Sequence, residues 1–353
     1  MRIWTKLLVF SLFLFAFFPK VAVNAHAAEH RNNIVYSTIL GPNQSITGVR
    51  GYDAAQVLCT GSTQSNGVTV GMWWLGSLET GVGTLFTPTP NIPGQTVTSS
   101  LFYGPNTALF DPSLGSNIRI TGSYQYAEST TLNNGFLYEG PLDGSGTWLQ
   151  INVPSDAVGG AAVESTVPHS VMGDFVVGNY NLQNEPMSGN AFLYQISTGE
   201  WTVFTIDGST SNLTSAYGIW QNGNDSYTIV GGSKHKGINK AYLIDYQPST
   251  KNFSRLKFYK NPHGFGLTHF EGITGTRDGY HVAGSDSDGA AFVSIERKKH
   301  GSFSKARWTP VQYPGSSTTT SNTVYERTLI GVYTLPNESG VNCYTAKVLS
   351  HKR

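Results

Sequence analysis

The chain has 353 residues, with 23 lysines and arginines against 22 acids, and only 13% of its residues are charged. A chain this close to neutral lacks the basic face that phosphate binding needs, which excludes nucleic acid as its main partner. Forty glycines, 12% aromatics and abundant Ser, Thr and Asn exclude a helical architecture and point to many short strands joined by tight turns.

Arg2 and Lys6 open the chain, residues 7–18 are almost unbroken apolar, and Ala25 and Ala27 form an A-x-A step before Ala28. This layout predicts a cleaved secretory signal over 1–27 and a mature domain over 28–353. The apolar run is shorter than the roughly 20 residues of a membrane anchor, so the expectation is a secreted monomer without a stable membrane span. It would be extracellular, or periplasmic in a Gram-negative host. Loss of Arg2, Lys6 and Lys20 takes the 23 basic residues to 20 against 22 acids, a formal charge of −2.

Laying the chain against itself reveals a repeat. An apolar pair followed by glycine recurs as LCTGS (58–62), RITGS (119–123), FVVGN (175–179), TIVGG (228–232), HVAGS (281–285) and LIGVY (329–333). The key glycines are Gly61, Gly122, Gly178, Gly231, Gly284 and Gly331, spaced 47 to 61 residues apart. Each is followed by a second marker: MWWL at Met72, GFLY at Gly135, AFLY at Ala191, AYLI at Ala241, AFVS at Ala291 and CYTA at Cys343. A third marker is an aromatic after a turn, at Trp148, Trp201, Phe253 and Trp308. The fourth unit divides into the strands 217–221, 227–233, 240–246 and 253–259, with Gly, Asn and Pro in the turns between.

Four strands recurring at this period predict an all-β fold, a six-bladed β-propeller. The last unit ends without a fourth strand, while NIVYSTI (33–39) stands alone before the first. The N-terminal strand is therefore expected to close the last blade. The repeated glycine admits two readings, a close backbone approach at a bulge or the end of a hairpin.

The unit spanning 218–246, with the sister strings VVGNYNLQNEPMSGNAFLY and VAGSDSDGAAF, resembles the HAF repeat of exported microbial proteins. The histidine of the eponymous triplet is absent from every copy. The resemblance implies a propeller-like extracellular protein and carries over no catalytic residue.

Aligning the units on their innermost strand sets Thr47, Tyr103, His169, Tyr217 and Glu271 at one level, with His269 two residues before Glu271 and Arg50 close by. Tyr103, His169, Tyr217, His269 and Glu271 are the candidate ligand-binding residues: aromatic faces for stacking, and a His–Glu pair for directional hydrogen bonds. Glycosidic cleavage needs two facing carboxylates, and only Glu271 and Glu164 fall near this level, since Asp174, Asp225 and Asp278 read as turns. No catalytic residue, metal ligand or cofactor is expected. The function expected is binding of a carbohydrate or another surface partner. A glycan- or polymer-acting hydrolase or lyase and a structural envelope protein are the alternatives.

GSDSDG (284–289) reads as a hairpin turn rather than a calcium loop, and LDGSGTW (142–148) as an Asp-box-like turn. Cys59 and Cys343 fall in the first and last units, either bridged or as two buried thiols. The basic residues Lys234, Lys236 and Lys240, and 297–299 with Lys305 and Arg307, read as solvated loop charges.

Overall fold

A computed structural model describes residues 33–349, apart from 184, 186–188, 207–212, 224, 236–237, 263–267, 287–288 and 339. The expected signal, the domain boundary at 28, and Lys236 lie outside the described residues.

The strands follow one another as antiparallel meanders. The first unit is β2 (Ser45–Gly51), β3 (Val57–Ser65), β4 (Val68–Gly76) and β5 (Gly83–Phe86). The second is β6 (Val97–Thr107), β7 (Ile118–Tyr126), β8 (Asn134–Gly140) and β9 (Thr147–Gln150). The third is β10 (Val163–Met172), β11 (Phe175–Leu182), β12 (Asn190–Gln195) and β13 (Glu200–Phe204), and the fourth is β14 (Thr214–Gln221), β15 (Tyr227–His235), β16 (Ile238–Gln247) and β17 (Asn252–Tyr259). The fifth is β18 (Thr268–Thr276), β19 (Gly279–Asp286), β20 (Gly289–Glu296) and β21 (Arg307–Val311). The last comprises β22 (Thr318–Tyr325), β23 (Thr328–Thr334) and β24 (Asn342–Val348), completed by β1 (Ile34–Ser37).

These units form five sheets, because a parallel pairing of Gly104 with Ser170 joins the second and third into one eight-stranded, curled sheet. The N-terminal strand pairs antiparallel with β24, Ile34 opposite Val348 and Ser37 opposite Thr345. That pairing supplies the fourth strand the C-terminus lacks. Turn chemistry agrees with the hairpins: Asn66 and Gly67 both take positive φ, 50° and 77°, in the two-residue turn between β3 and β4. Asp286 pairs with Gly289 at the end of the β19–β20 ladder, and the two residues between them in GSDSDG lie outside the described residues.

Apolar side chains on successive units bury against each other. Leu58 and Trp73 of the first unit pack with Phe102, Ile118 and Tyr138 of the second. Leu137 and Ile151 meet Val171 and Phe192; Val177 and Leu193 meet Ile219 and Tyr242; Val230 and Leu243 meet Phe270 and Val282; Ala283 and Phe292 meet Leu329 and Tyr344. The sixth cluster brings Ile46, Val49, Cys59 and Trp74 of the first unit against Ile330 and Cys343 of the last. Both cysteines are free and buried there, and burial pushes the Cys343 thiol up to about 12.

Three of the outer aromatics occupy equivalent register positions, Trp148 opposite Tyr138, Trp201 opposite Tyr194 and Trp308 opposite Val293, whereas Phe253 lies farther along its strand, opposite Tyr246. Trp148 is buried, and the other three are half-buried. The LDGSGTW turn is built as read, with Asp143 accepting from Ser145 N at 2.9 Å and Trp148 Nε1 donating to Gly144 O at 3.0 Å.

Candidate functional site

In every unit the first strand carries a bulge, and the repeated glycine of the second strand stands opposite the residue just before it. The pairs are Ile46 with Gly61, Phe102 with Gly122, Pro168 with Gly178, Ala216 with Gly231, Phe270 with Gly284 and Ser321 with Gly331. A bulge adds an unpaired residue and re-aims its side chain. The glycine's purpose is steric. A Cβ on Gly231 would lie 1.8 Å from the Ser215 carbonyl oxygen, and one on Gly331 would lie 1.9 Å from that of Thr320. Of the two readings of this glycine, close approach at a bulge is the one observed.

The second marker is the register partner of the glycine. Met72, Phe136, Phe192, Tyr242, Ala291 and Tyr344 oppose the six glycines in order. Where that partner is tyrosine, its hydroxyl caps the crowded carbonyl: Tyr242 donates to Ser215 O at 2.8 Å, and Tyr344 to Thr320 O at 3.0 Å.

The bulged residues are the site candidates. They are Thr47, Tyr103 (with Gly104), His169, Tyr217, Glu271 and Asn322. All five predicted ligand-binding residues come together. The Tyr103 and His169 ring centroids lie 4.5 Å apart, His169 and Tyr217 are 4.7 Å apart edge to face, and Tyr217 and His269 are 5.5 Å apart. His269 Nε2 then meets Glu271 Oε1 at 2.5 Å. Hydrogen bonds at the same level link the last unit to the first and the first to the second. Asn322 Nδ2 donates to Ile46 O at 2.8 Å, and Thr47 Oγ1 donates to Phe102 O.

Tyr103 is buried, while His169, Tyr217, His269 and Glu271 are partly exposed. Desolvation lowers His169 to about 3, so its imidazole is neutral at ordinary pH. Burial raises the Tyr103 phenol, with smaller contributions from Tyr217 and Glu271, and burial and then Glu271 raise that of Tyr217. The site thus offers neutral aromatic faces ending on one hydrogen-bonded His–Glu pair. Glu271 interacts with His269, Tyr103 and Tyr217, while Glu164 stands at the start of β10, five residues before His169. Asp174 is engaged in a turn, accepting from Ser197 N at 2.8 Å and from Gln195 Nε2 at 2.8 Å.

One expectation needs correction, that for Arg297, whereas Arg50 lies close by, as its register places it, one level beneath the ring. It stands two residues past Gly48 and reaches Ser170 and Ile219, which follow His169 and Tyr217. Arg297 is not a solvated loop charge: its guanidinium pairs with Asp245 at 2.6 Å and also donates to Tyr280 and Thr228. Asn322 was missed, because the last unit has neither aromatic nor glycine at that level. Its signal is Gly331, whose register partner Ser321 directly precedes it.

No family model matches the chain, and no curated protein matches it. Solved structures do. A post-proline cleaving enzyme from Rickettsia typhi is 13% identical, with a TM-score of 0.41 over 83% of this chain and 42% of that one. The extracellular domain of a one-component system from B. thetaiotaomicron is 8% identical, with a TM-score of 0.41 over 88% of this chain and 40% of that one. The chain thus spans about two-fifths of the length of both. An α-L-arabinofuranosidase from Fusarium graminearum, solved with an iminosugar inhibitor, is 10% identical, with a TM-score of 0.53 over 88% of this chain and 94% of that one. The protein is all-β by its own strands, and its fold is similar to that of the arabinofuranosidase. No helix among the described residues is long and apolar enough to cross a membrane.

Proposed function

We propose that the chain is a secreted six-bladed β-propeller that binds a neutral, hydroxyl-rich ligand, a carbohydrate, at the ring of Tyr103, His169, Tyr217, His269 and Glu271. One observation carries the reading: residues up to 168 positions apart form an unbroken run of rings that ends on a directional His–Glu pair. Packing alone does not require tyrosine and histidine there, since small or β-branched side chains would fill inner strands equally well. Aromatic faces stack on the apolar face of a sugar, and the pair supplies hydrogen bonds that fix its orientation.

Ring closure is supported by the six apolar clusters, one between each pair of successive units and one between the last and the first. It is also supported by the pairing of β1 with β24 and by the bond from Asn322 to Ile46 O. The HAF-like repeat and the signal-like first 27 residues support export. Binding is favoured over glycoside hydrolysis because Glu164, the other acid read near this level, stands at the start of β10, five residues before His169.

A glycan-array screen of purified mature protein, followed by affinity measurements on the strongest hit, tests this. His269→Ala and Glu271→Ala should each weaken binding at least tenfold while folding normally. Wild-type affinity in both would remove the ring as the site.

A further inference from the structure

One level beneath the ring, the side chain of Arg50 enters the middle of the molecule. Its guanidinium leaves β2 in the first unit, donates to Ser170 Oγ in the third at 3.4 Å, and donates to Ile219 O in the fourth at 2.9 Å. Its other partner is the carbonyl of its own neighbour, Val49, at 3.0 Å, and Trp220 lies 5.5 Å from its carbon centre. Every one of these groups is neutral. Arg50 is only 3% exposed, yet among the described residues no carboxylate pairs with it and nothing accepts from its Nε.

A guanidinium cannot escape burial by losing its proton. Desolvation brings it only to about 10, still charged at neutral pH. Burying a charge is costly unless a counter-charge and hydrogen bonds accompany it. Arg50 has partial satisfaction by dipoles and no counter-charge.

The neighbouring unit presents a second anomaly at the same level. Arg50 stands two residues past Gly48, and Asn106 stands two residues past Gly104, the glycine of the second bulge. Asn106 is fully buried, and neither its amide nitrogen nor its oxygen has a partner among the described residues. An arginine donor and an asparagine donor, both unsatisfied, thus occupy matching places on adjacent inner strands. Above them Tyr103, His169 and Tyr217 stand in ring contact, with centroids 4.5 and 4.7 Å apart.

We propose that the centre of the molecule is a site for a single monovalent anion of halide size, held by Arg50 Nε and Asn106 Nδ2 beneath the aromatic ring. The anion supplies the counter-charge Arg50 lacks and helps tie the first strand to the second, third and fourth units. This inference does not depend on what the ring above binds.

Crystals of the mature protein grown in sodium bromide give the direct test, read by anomalous scattering at the bromine edge. The expected result is a bromide peak within about 3.5 Å of Arg50 Nε and Asn106 Nδ2, an ordinary charge-assisted contact for so large an ion. In solution, replacing sodium gluconate by sodium bromide at constant ionic strength should raise the wild-type Tm by about 2–4 °C. Arg50→Met should lose that response, and the wild-type measurements stand even if this variant fails to fold. No bromide beside Arg50, or a wild-type Tm indifferent to bromide, overturns the proposal.

Discussion

Gly231 sits where a Cβ would come within 1.8 Å of the Ser215 carbonyl oxygen, and the bulge that forces this approach turns Tyr217 into the candidate site. The same geometry recurs at Gly61 against Ser45 and at Gly331 against Thr320. A packing constraint and the candidate surface are thus two sides of one local structure, which is why a repeat visible in sequence leads to the candidate site.

Gly231→Ala should therefore destabilise the fold and disturb the ring. Forcing a methyl group against backbone costs about 1–3 kcal/mol, occasionally more, and the bulge is what must give way. Gly41→Ala is the control, since its added Cβ would meet Gln44 at an ordinary 3.6 Å. Urea unfolding should show a lower midpoint for the first and an unchanged one for the second. Equal midpoints would mean that the bulge tolerates a side chain.

The tyrosines that cap the crowded carbonyls make a finer test. Tyr242→Phe removes the bond to Ser215 O while keeping the ring, so it should cost about 1 kcal/mol or somewhat more. Tyr344→Phe should behave alike, through Thr320 O. Thermal unfolding of the two variants reads this directly.

The outer aromatics should rank by burial. Trp148→Ala, which removes a buried indole stacked on Trp73 and tilted against Tyr138, should cost about 3–5 kcal/mol. Trp201→Ala, half-buried against Phe192 and Tyr194, should cost less but still lower the midpoint. An unchanged midpoint for Trp201→Ala would make that residue a surface feature.

His169 gives a pH signature. Its folded-state pKa is lowered from 6.5 to about 3, so between those values the unfolded chain takes up a proton that the folded chain refuses. Stability from this residue is intact above pH 6.5 and is lost progressively as pH falls towards 3. His281 is shifted in the same direction, so the informative quantity is the difference between wild type and His169→Phe. The variant should lose less Tm between pH 7 and pH 4. Parallel pH profiles would show that His169 titrates normally.

Much of this was legible in sequence because a repeat constrains local structure six times over. The glycine and aromatic markers located the strands, and the orphan strand at 33–39 correctly anticipated the pairing with β24. Tyr103, His169, Tyr217, His269 and Glu271 were found because one register brought them to one level. Three features were not legible, each for a physical reason. Asn322 has no residue-type signature and is located only through the bulge beside Gly331. Arg50 owes its place to a side chain that leaves the first unit for the third and fourth. Arg297 lies in a run of basic residues, and only the folded chain brings Asp245 of the fourth unit against it.

Whether the bulged inner strands build one carbohydrate site is decided by a crystal structure of the protein, residues 28–353, with its best-binding glycan. The expected result is a sugar ring lying against Tyr103, His169 and Tyr217, with a hydroxyl hydrogen-bonded to the His269–Glu271 pair. A glycan bound elsewhere, for example on the turn that carries Lys298, with the ring unoccupied, would contradict it.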